Sequence, residues 1–426
     1  MNIIKLIKSS LWLTAIFTAL SSQAQPSVYS LQDYRRLAME HNKKIKAAQS
    51  QVQASQAAWE GAKLNNRPSL DGSVMGIYVG KPLDKLLPPV IGSASLSATQ
   101  PIYAGGKIRL GVQAAEKGIR IAEGQKTIAE ADLMLAVETA YWQLSQAKAR
   151  VQLTEKYRQM LQGLRDELKN AVDAGLTYKN DQLRAEVSLN EADLNYTRAS
   201  DALTLTRLNL AQLTGLPADA DLSVPDSVTV ELILPSHLDT TYADNRPEVQ
   251  VLKDLIEVQQ IQAGMIRADA KPQIGLSAGA FGSAGKRVNF SNNDNLLGSY
   301  FGVVSLSVPI VDWGRNHKKV TEQQMKVQAS RWELDDTRER IGIEVQGALL
   351  QVRESEKKIQ LSDLSLSQAE ENLRLATDRF KAGTITGKDV LEAQAVWQQA
   401  YASTIDARAE LRINTASYKK AIGELK

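Results

Sequence analysis

The feature that most constrains this 426-residue chain is that its second half repeats its first. Glycines and prolines, which set where helices and strands end, recur at one constant offset along the chain. The matched pairs are Pro101 and Pro309, Gly106 and Gly314, Gly175 and Gly383, and Gly215 and Gly423. A repeat of this length indicates two copies of one supersecondary unit. The predicted domains are a first repeat over residues 25–215, a linker over 216–240 and a second repeat over 241–426.

The first residues of the chain have the pattern of a secretory signal peptide. Lys5 and Lys8 precede an apolar run from Leu11 to Leu20, and small residues follow before Gln25. The alternative is a short membrane anchor, but about ten apolar residues cannot cross a hydrocarbon layer ~30 Å thick. We expect residues 1–24 to be a cleaved signal peptide and the remaining chain to be exported.

Composition excludes several classes of function. The formal net charge of +3 is too small an excess to indicate nucleic-acid binding. The chain has no cysteine, which excludes disulfides, thiolate metal sites, cysteine catalysis and lipid attachment through an amino-terminal cysteine. His41, His237 and His317 fall in different predicted elements, and none belongs to a catalytic or metal-binding motif. We therefore predict no catalytic residue, no metal site and no cofactor.

Long helices dominate the predicted secondary structure. From Lys107 to Ala174 no proline interrupts the chain, and apolar side chains recur at spacings of three and four. A helix of this length would reach roughly 100 Å. Each long helix ends at a glycine turn, and a returning helix follows. The predicted helical hairpins cover residues 107–214 and 315–425, and a further helix is predicted over Leu31–Asn65.

Four runs alternate between apolar and polar residues and predict β-strands. Each run is about ten residues long, which is the length of a tilted transmembrane strand. No stretch after the signal peptide approaches 18 consecutive apolar residues, so any membrane insertion would use these strands. The predicted strands cover residues 69–79, 94–103, 273–281 and 300–311.

Three segments carry a resemblance to a known family. They are DRFKAGTITGKDVLEAQ at Asp378–Gln394, NAVDAGLTYKNDQLRA at Asn170–Ala185 and LSVPIVDWGRN at Leu306–Asn316. With the order of helix, two strands, long helix, glycine turn and returning helix performed twice, the chain resembles the outer-membrane efflux protein family, the TolC-like channels. The resemblance implies a mainly α fold with a membrane β-barrel in the outer membrane of a Gram-negative bacterium, continuous with a periplasmic α-helical barrel.

The resemblance also implies an assembly and a function. Four strands leave an open sheet with two unpaired edges, whereas three copies supply twelve strands that can close into a barrel. The implied protein is a homotrimer in outer-membrane lipid. It would be the passive exit duct of a tripartite efflux or type I secretion system. Its implied partners are a periplasmic adaptor protein and an inner-membrane efflux pump or ABC exporter.

Four charged residues near the glycine turns are candidates for a pore constriction. They are Asp181, Arg184, Asp389 and Glu392. In the family, acidic residues at the positions of Asp389 and Glu392 face the pore near its periplasmic entrance. Three copies would concentrate negative charge in a narrow opening and attract cations. The alternative is that these carboxylates only offset the dipole at a helix amino terminus.

The turns themselves are candidates for docking the adaptor. Resemblance implies this role for Gly175, Leu176, Thr177, Gly383, Thr384, Ile385 and Thr386. The alternative is that both segments are simple helix-ending turns. Family members often close the tip with a Tyr and an Arg, but Phe380 and Ile385 occupy the matching positions and cannot form those polar links. Arg184 is a candidate to pair with Asp181 or Asp389 across neighbouring hairpins.

Two other classes of function remain as alternatives. A soluble periplasmic helical scaffold or adaptor would have no need of strands with a lipid-facing side. A secreted hydrolase would need clustered histidines or carboxylates, which the sequence does not offer. The exported substrate and the pump that the channel serves cannot be read from the sequence.

Overall fold

The computed structural model describes residues 29–83, 86–220, 222, 224 and 242–425. The predicted signal peptide and most of the predicted linker lie outside the described residues. The helices are α1 (Leu31–His41), α2 (Lys43–Leu64), α3 (Lys107–Asp173), α4 (Lys179–Thr214), α5 (Tyr242–Asn245), α6 (Pro247–Ala268), α7 (Arg315–Lys381) and α8 (Gly387–Ala421). The strands are β1 (Ser69–Tyr78), β2 (Val90–Ala104), β3 (Gln273–Gly285) and β4 (Leu296–Ser307).

Several predicted boundaries are wrong. The helix predicted over Leu31–Asn65 is two helices, because Asn42 adopts an extended conformation between α1 and α2. The Asn42 side-chain amide donates a hydrogen bond to the Leu213 carbonyl oxygen at 2.8 Å. The strand predicted over 94–103 begins at Val90, since Val90 pairs with Tyr78 in the sheet.

The second pair of strands is also displaced from its predicted bounds. The strand predicted over 273–281 continues to Gly285. The strand predicted over 300–311 runs from Leu296 to Ser307 instead. The strand ends at Ser307 because its partner there, Gln273, is the first residue of β3.

The two repeats match closely in backbone conformation. Left-handed φ angles occur at Gly106, Gly175 and Gly215 in the first repeat. They occur again at the matching glycines of the second repeat, which are Gly314, Gly383 and Gly423. The matched glycines that revealed the duplication in the sequence therefore lie where the chain changes direction.

The described chain divides into two compact units, and both draw on both repeats. The hairpin unit comprises the described parts of residues 1–43, 131–238 and 345–426. The sheet unit comprises the described parts of residues 44–130 and 239–344. Because α3 and α7 each contribute to both units, the sequence repeats are not themselves the compact units.

In the sheet unit, four antiparallel strands form a single sheet in the order β1-β2-β3-β4. One face is apolar: Leu96 of β2 lies between Gly72 of β1 and Ala280 of β3, and Tyr300 of β4 continues the row. The other face carries many serines, and the Ser73 and Ser95 hydroxyls are hydrogen-bonded at 2.8 Å. Most apolar side chains of the sheet are exposed in the single chain. The exposed members include Leu70, Val74, Tyr78, Leu96, Val304 and Leu306.

In the hairpin unit, α3 and α8 share one buried cluster with α7 and another with α4. Leu153 of α3 and Trp397 of α8 share a buried cluster with Ala369 of α7. Arg158 of α3 forms an ion pair with Asp193 of α4 at 3.5 Å. We call α4 and α7 the outer helices; α1 also packs against the end of α4.

Among the described residues, no helix combines the length and apolar character needed to cross a lipid bilayer.

Candidate functional site at the helical tips

The two glycine turns of the hairpin unit are built in the same way. The Gly175 N–H donates to the Val172 carbonyl at 2.9 Å, and the Leu176 N–H donates to the Ala171 carbonyl at 2.8 Å. The turn after α7 has the same two bonds, from Gly383 to Phe380 and from Thr384 to Arg379. This pair of bonds is the Schellman motif, which satisfies the last carbonyls of a helix and needs a left-handed residue. Gly175 and Gly383 supply it, with φ of 74° and 72°.

The turns are exposed in the single chain. Leu176 and Tyr178 are 81% and 84% exposed, although both have large apolar side chains. A Cβ atom built on either Gly175 or Gly383 would meet no other atom within 4 Å. Space around both turns is therefore open, and a bulky partner can reach the backbone of each.

Phe380 and Ile385, at the positions of the family's polar latch, make apolar contacts. Both pack against a buried cluster that includes Leu168 and Val390. Gly387 allows α8 to approach α3 here, since a Cβ at that position would lie 2.7 Å from a methyl carbon of Leu168. Apolar packing inside one chain thus holds the second turn where sequence reasoning considered only polar links.

Asp389 caps the amino terminus of α8. One of its carboxylate oxygens accepts hydrogen bonds from the Thr386 hydroxyl at 2.8 Å and from the Thr386 backbone N–H at 2.9 Å. The hydroxyl bond, followed by the backbone bond, lowers the pKa of Asp389 below its usual value. The carboxylate therefore stays negative at lower pH than an ordinary aspartate would.

Asp181 has a similar position at the start of α4. The Thr177 hydroxyl donates a hydrogen bond to the Asp181 carboxylate at 3.1 Å. Arg184 forms no ion pair with Asp181 or Asp389 among the described residues of one chain. Pairing of Arg184 between chains stays a prediction.

An open groove of about 600 Å³ brings Arg184 and Glu392 together. Leu183 and Val187 line it from α4, and Leu391 lines it from α8, beside Lys388. The groove therefore has an apolar floor with charges of both signs. Sequence reasoning named Arg184 and Glu392 but did not identify the cationic side chain of Lys388 as their neighbour.

The outer helices carry a second apolar face that sequence reasoning missed. On α4, the buried residues Ala185 and Leu189 face inward, and a set of exposed apolar residues lies on roughly the opposite side. The α4 set is Leu194, Leu205 and Leu208, and it continues toward the turn through Leu183 and Val187, which also line the groove. The corresponding α7 set in this unit is Leu350, Leu361, Leu364 and Leu375. The signal that could have revealed both sets is a helical spacing of leucines and valines that keeps side chains on one helix face.

Of the three histidines, His41 and His317 belong to no metal-binding group among the described residues, and His237 lies outside them. No group of three or more His, Asp or Glu side chains in this part of the chain is arranged to hold a metal ion. His41 lies at the end of α1, and His317 lies in α7.

The chain belongs to the outer membrane efflux protein family, whose model matches residues 35–216 and 241–424. The two matched segments correspond to the two repeats. This confirms the family resemblance and the outer-membrane location.

Individual relatives support the same assignment. The toluene efflux pump outer membrane protein TtgI of Pseudomonas putida is 26% identical over 65% of this chain and 60% of its own length. The alkaline protease secretion protein AprF of Pseudomonas aeruginosa is 22% identical over 71% of this chain and 63% of its own length. The chain spans between 54% and 63% of the length of the curated relatives it matches.

A solved structure confirms the fold class of the protomer. The Campylobacter jejuni CmeC outer membrane channel superimposes with a TM-score of 0.80 and 16% identity, covering 94% of this chain and 90% of that one. The duplicated, mainly helical chain with a small antiparallel sheet is thus the fold of these channels.

Proposed function

We propose that three copies of this chain form an outer-membrane exit duct for a tripartite efflux or type I secretion system. The observation that carries the proposal is that one copy leaves two kinds of surface uncovered. These are the unpaired backbone at the two edges of its sheet and the exposed apolar faces of α4 and α7. A closed ring of copies would cover both.

The sheet supports closure because its two outer strands are unpaired. In the order β1-β2-β3-β4, β1 and β4 each leave one row of backbone N–H and C=O groups without a strand partner in the described chain. Unpaired strand edges are not tolerated in hydrocarbon. Pairing β4 of each copy with β1 of the next would close twelve strands from three copies, with the apolar face toward lipid and the serine-rich face toward the lumen.

The outer helices support the same ring. In one copy the apolar sets of α4 and α7 are left exposed, and α4 of one copy packed against α7 of the next would cover both. This contact is head-to-tail, and a head-to-tail contact either closes into a ring or grows into a filament. Burying these leucines would contribute about 1.5–3 kcal/mol per side chain.

The exposed turns support docking of a periplasmic partner. Leu176 lies on the Schellman turn and Tyr178 follows it, both exposed, and tyrosine is one of the residues most enriched at the energetic centre of protein interfaces. The proposed partner is the hairpin tip of a periplasmic adaptor, through which an inner-membrane efflux pump or ABC exporter delivers its substrate. TtgI is named for toluene efflux and AprF for protease secretion, so both cargo classes are compatible with the fold.

Conductance in a planar bilayer tests the proposed duct. Purified protein should insert from detergent and produce uniform current steps, each from one trimer. Protein that inserts into vesicles without conducting ions would contradict a continuous duct.

Charge neutralisation tests the proposed constriction. Asp389→Asn with Glu392→Gln should lower the ratio of cation to anion permeability roughly threefold or more, since a change of one kT in local potential changes ion concentration by about that factor. Arg184→Gln should change the ratio in the opposite direction, because Arg184 lines the same groove as Glu392. Reversal potentials in a salt gradient measure both effects. Identical potentials in wild type and both variants would leave Asp389 with only its helix-capping role.

A further inference from the structure

Trp313 combines two properties that the folded chain does not explain. Its φ is 55°, in the left-handed region that disfavours residues with a Cβ atom. Its side chain is 96% exposed, and no hydrogen bond or ring contact of its indole is found among the described residues. A strained position is retained in a fold only when something compensates for it.

The first repeat shows what the backbone itself requires at this place. Gly105 and Gly106, with φ of 63° and 92°, occupy the positions that match Trp313 and Gly314. At Gly105 a Cβ would lie 2.7 Å from the Ala268 carbonyl oxygen, so only glycine fits. The second repeat has the same pair of left-handed residues but places the largest side chain where glycine would relieve the strain.

Neighbouring groups hold Trp313 in this conformation. The Asp312 carboxylate accepts hydrogen bonds from the backbone N–H groups of Gly314 and Asn316, both at 2.9 Å. The Asn316 side chain donates in turn to the Ile266 carbonyl at 2.7 Å, which ties the turn to α6. The indole is therefore presented from a fixed backbone.

Exposed apolar residues lie beside this turn in both repeats. Ile310 is 91% exposed and Val311 is also exposed after β4. Ile102 and Tyr103, at the matching positions near the end of β2, are exposed as well. Tyr103 pairs with Ile274, which pairs with Leu306, so Tyr103 belongs to the apolar face of the sheet.

We propose that Trp313 anchors the protein at the membrane–water interface, with its indole among the lipid headgroups of the leaflet nearer the helices. This inference rests on the proposed membrane-spanning sheet. Trp and Tyr are enriched at such interfaces, where the ring meets the acyl chains and the N–H or O–H meets water. Three copies would set the depth of the barrel at three points of its circumference.

The distribution of the exposed residues favours lipid over a neighbouring copy as the partner. Within the sheet, a contact between copies would involve the outer strands, β1 and β4, and not β2. The apolar residues Ile102 and Tyr103 instead lie at the end of β2, which has strands on both sides. Exposed apolar and aromatic residues at the end of an inner strand, as well as beside an outer one, are the pattern expected where a barrel meets the lipid interface.

Depth-dependent quenching of tryptophan fluorescence tests this proposal on the full-length trimer. The protein is placed in vesicles of phosphatidylethanolamine and phosphatidylglycerol doped with a phosphatidylcholine brominated either near the headgroup end or near the end of its acyl chains. Wild type is compared with Trp313→Phe and with the matched control Trp332→Phe. Trp332 is also exposed, but it lies about five turns further along α7.

The expected result is quenching that is stronger for bromine near the headgroups, that is lost in Trp313→Phe and that persists in Trp332→Phe. Quenching that is unchanged in Trp313→Phe, or stronger for deep bromine, would overturn the proposal while leaving the channel function intact. A Trp313 that is shielded from both bromolipids in inserted trimers would indicate contact with a second copy and also overturn it. Protein that fails to enter vesicles at all would overturn the proposed channel as well as the anchor.

Discussion

Gly383→Glu is expected to abolish export while leaving the trimer and its membrane insertion intact. A glutamate at φ of 72° costs roughly 1–2 kcal/mol of backbone strain. An unpaired charge buried against the adaptor would cost about 3 kcal/mol more, which is a loss of docking affinity of at least 100-fold. The site has open space in the single chain, so the protomer itself should tolerate the side chain. A drug-sensitivity or secretion assay, run beside a trimer blot, measures the effect.

Gly383→Asn separates the two causes. Asparagine tolerates left-handed φ better than other non-glycine residues and adds no charge. We expect this variant to retain most export. Wild-type export by a stably expressed Gly383→Glu channel would exclude the second turn as a docking site.

Leu205→Glu is expected to prevent trimer formation. Leu205 is 66% exposed on the outer face of α4, so the substitution removes little contact inside the chain. In the proposed ring the same leucine is buried three times, once per contact between copies. Loss of about 2 kcal/mol at each contact would weaken the trimer by roughly 6 kcal/mol in total, before the cost of burying the charge. Size-exclusion chromatography with light scattering measures the oligomeric state in detergent.

Leu176→Glu is the matched control for that substitution. Leu176 is more exposed than Leu205, but it lies on the first glycine turn rather than on the outer face of α4. If α4 forms the contact between copies, Leu176→Glu should give a normal trimer with impaired export, and Leu205→Glu should give no trimer. Normal trimers from Leu205→Glu would show that α4 does not form the contact between copies.

The sequence predicted the protomer well where local chemistry decides the structure. Gly175 and Gly383 end their helices because the chain must enter a left-handed conformation there, and few other residues do so without strain. Proline-free stretches with regular apolar spacing became α3 and α7. These features are set by neighbours close in sequence, so they are readable without the fold.

The sequence predicted less well where distant segments decide the structure. Val90 joins β2 because Tyr78 of β1 pairs with it, although the strand was predicted to begin only at residue 94. Phe380 was considered only for its missing polar group, whereas its packing against the buried cluster around Leu168 depends on how distant helices come together. The exposed apolar faces of α4 and α7 were overlooked because a second apolar face on a helix can be recognised only when it is known which face is already buried.

We propose that three copies together cover the sheet edges and the apolar helix faces that one copy leaves exposed. The mass of the purified mature protein in detergent tests this most directly. Light scattering corrected for bound detergent should give a particle of three protomers that loses solubility when detergent is removed. A monodisperse monomer that remains in solution without detergent would contradict the account and favour a soluble periplasmic scaffold.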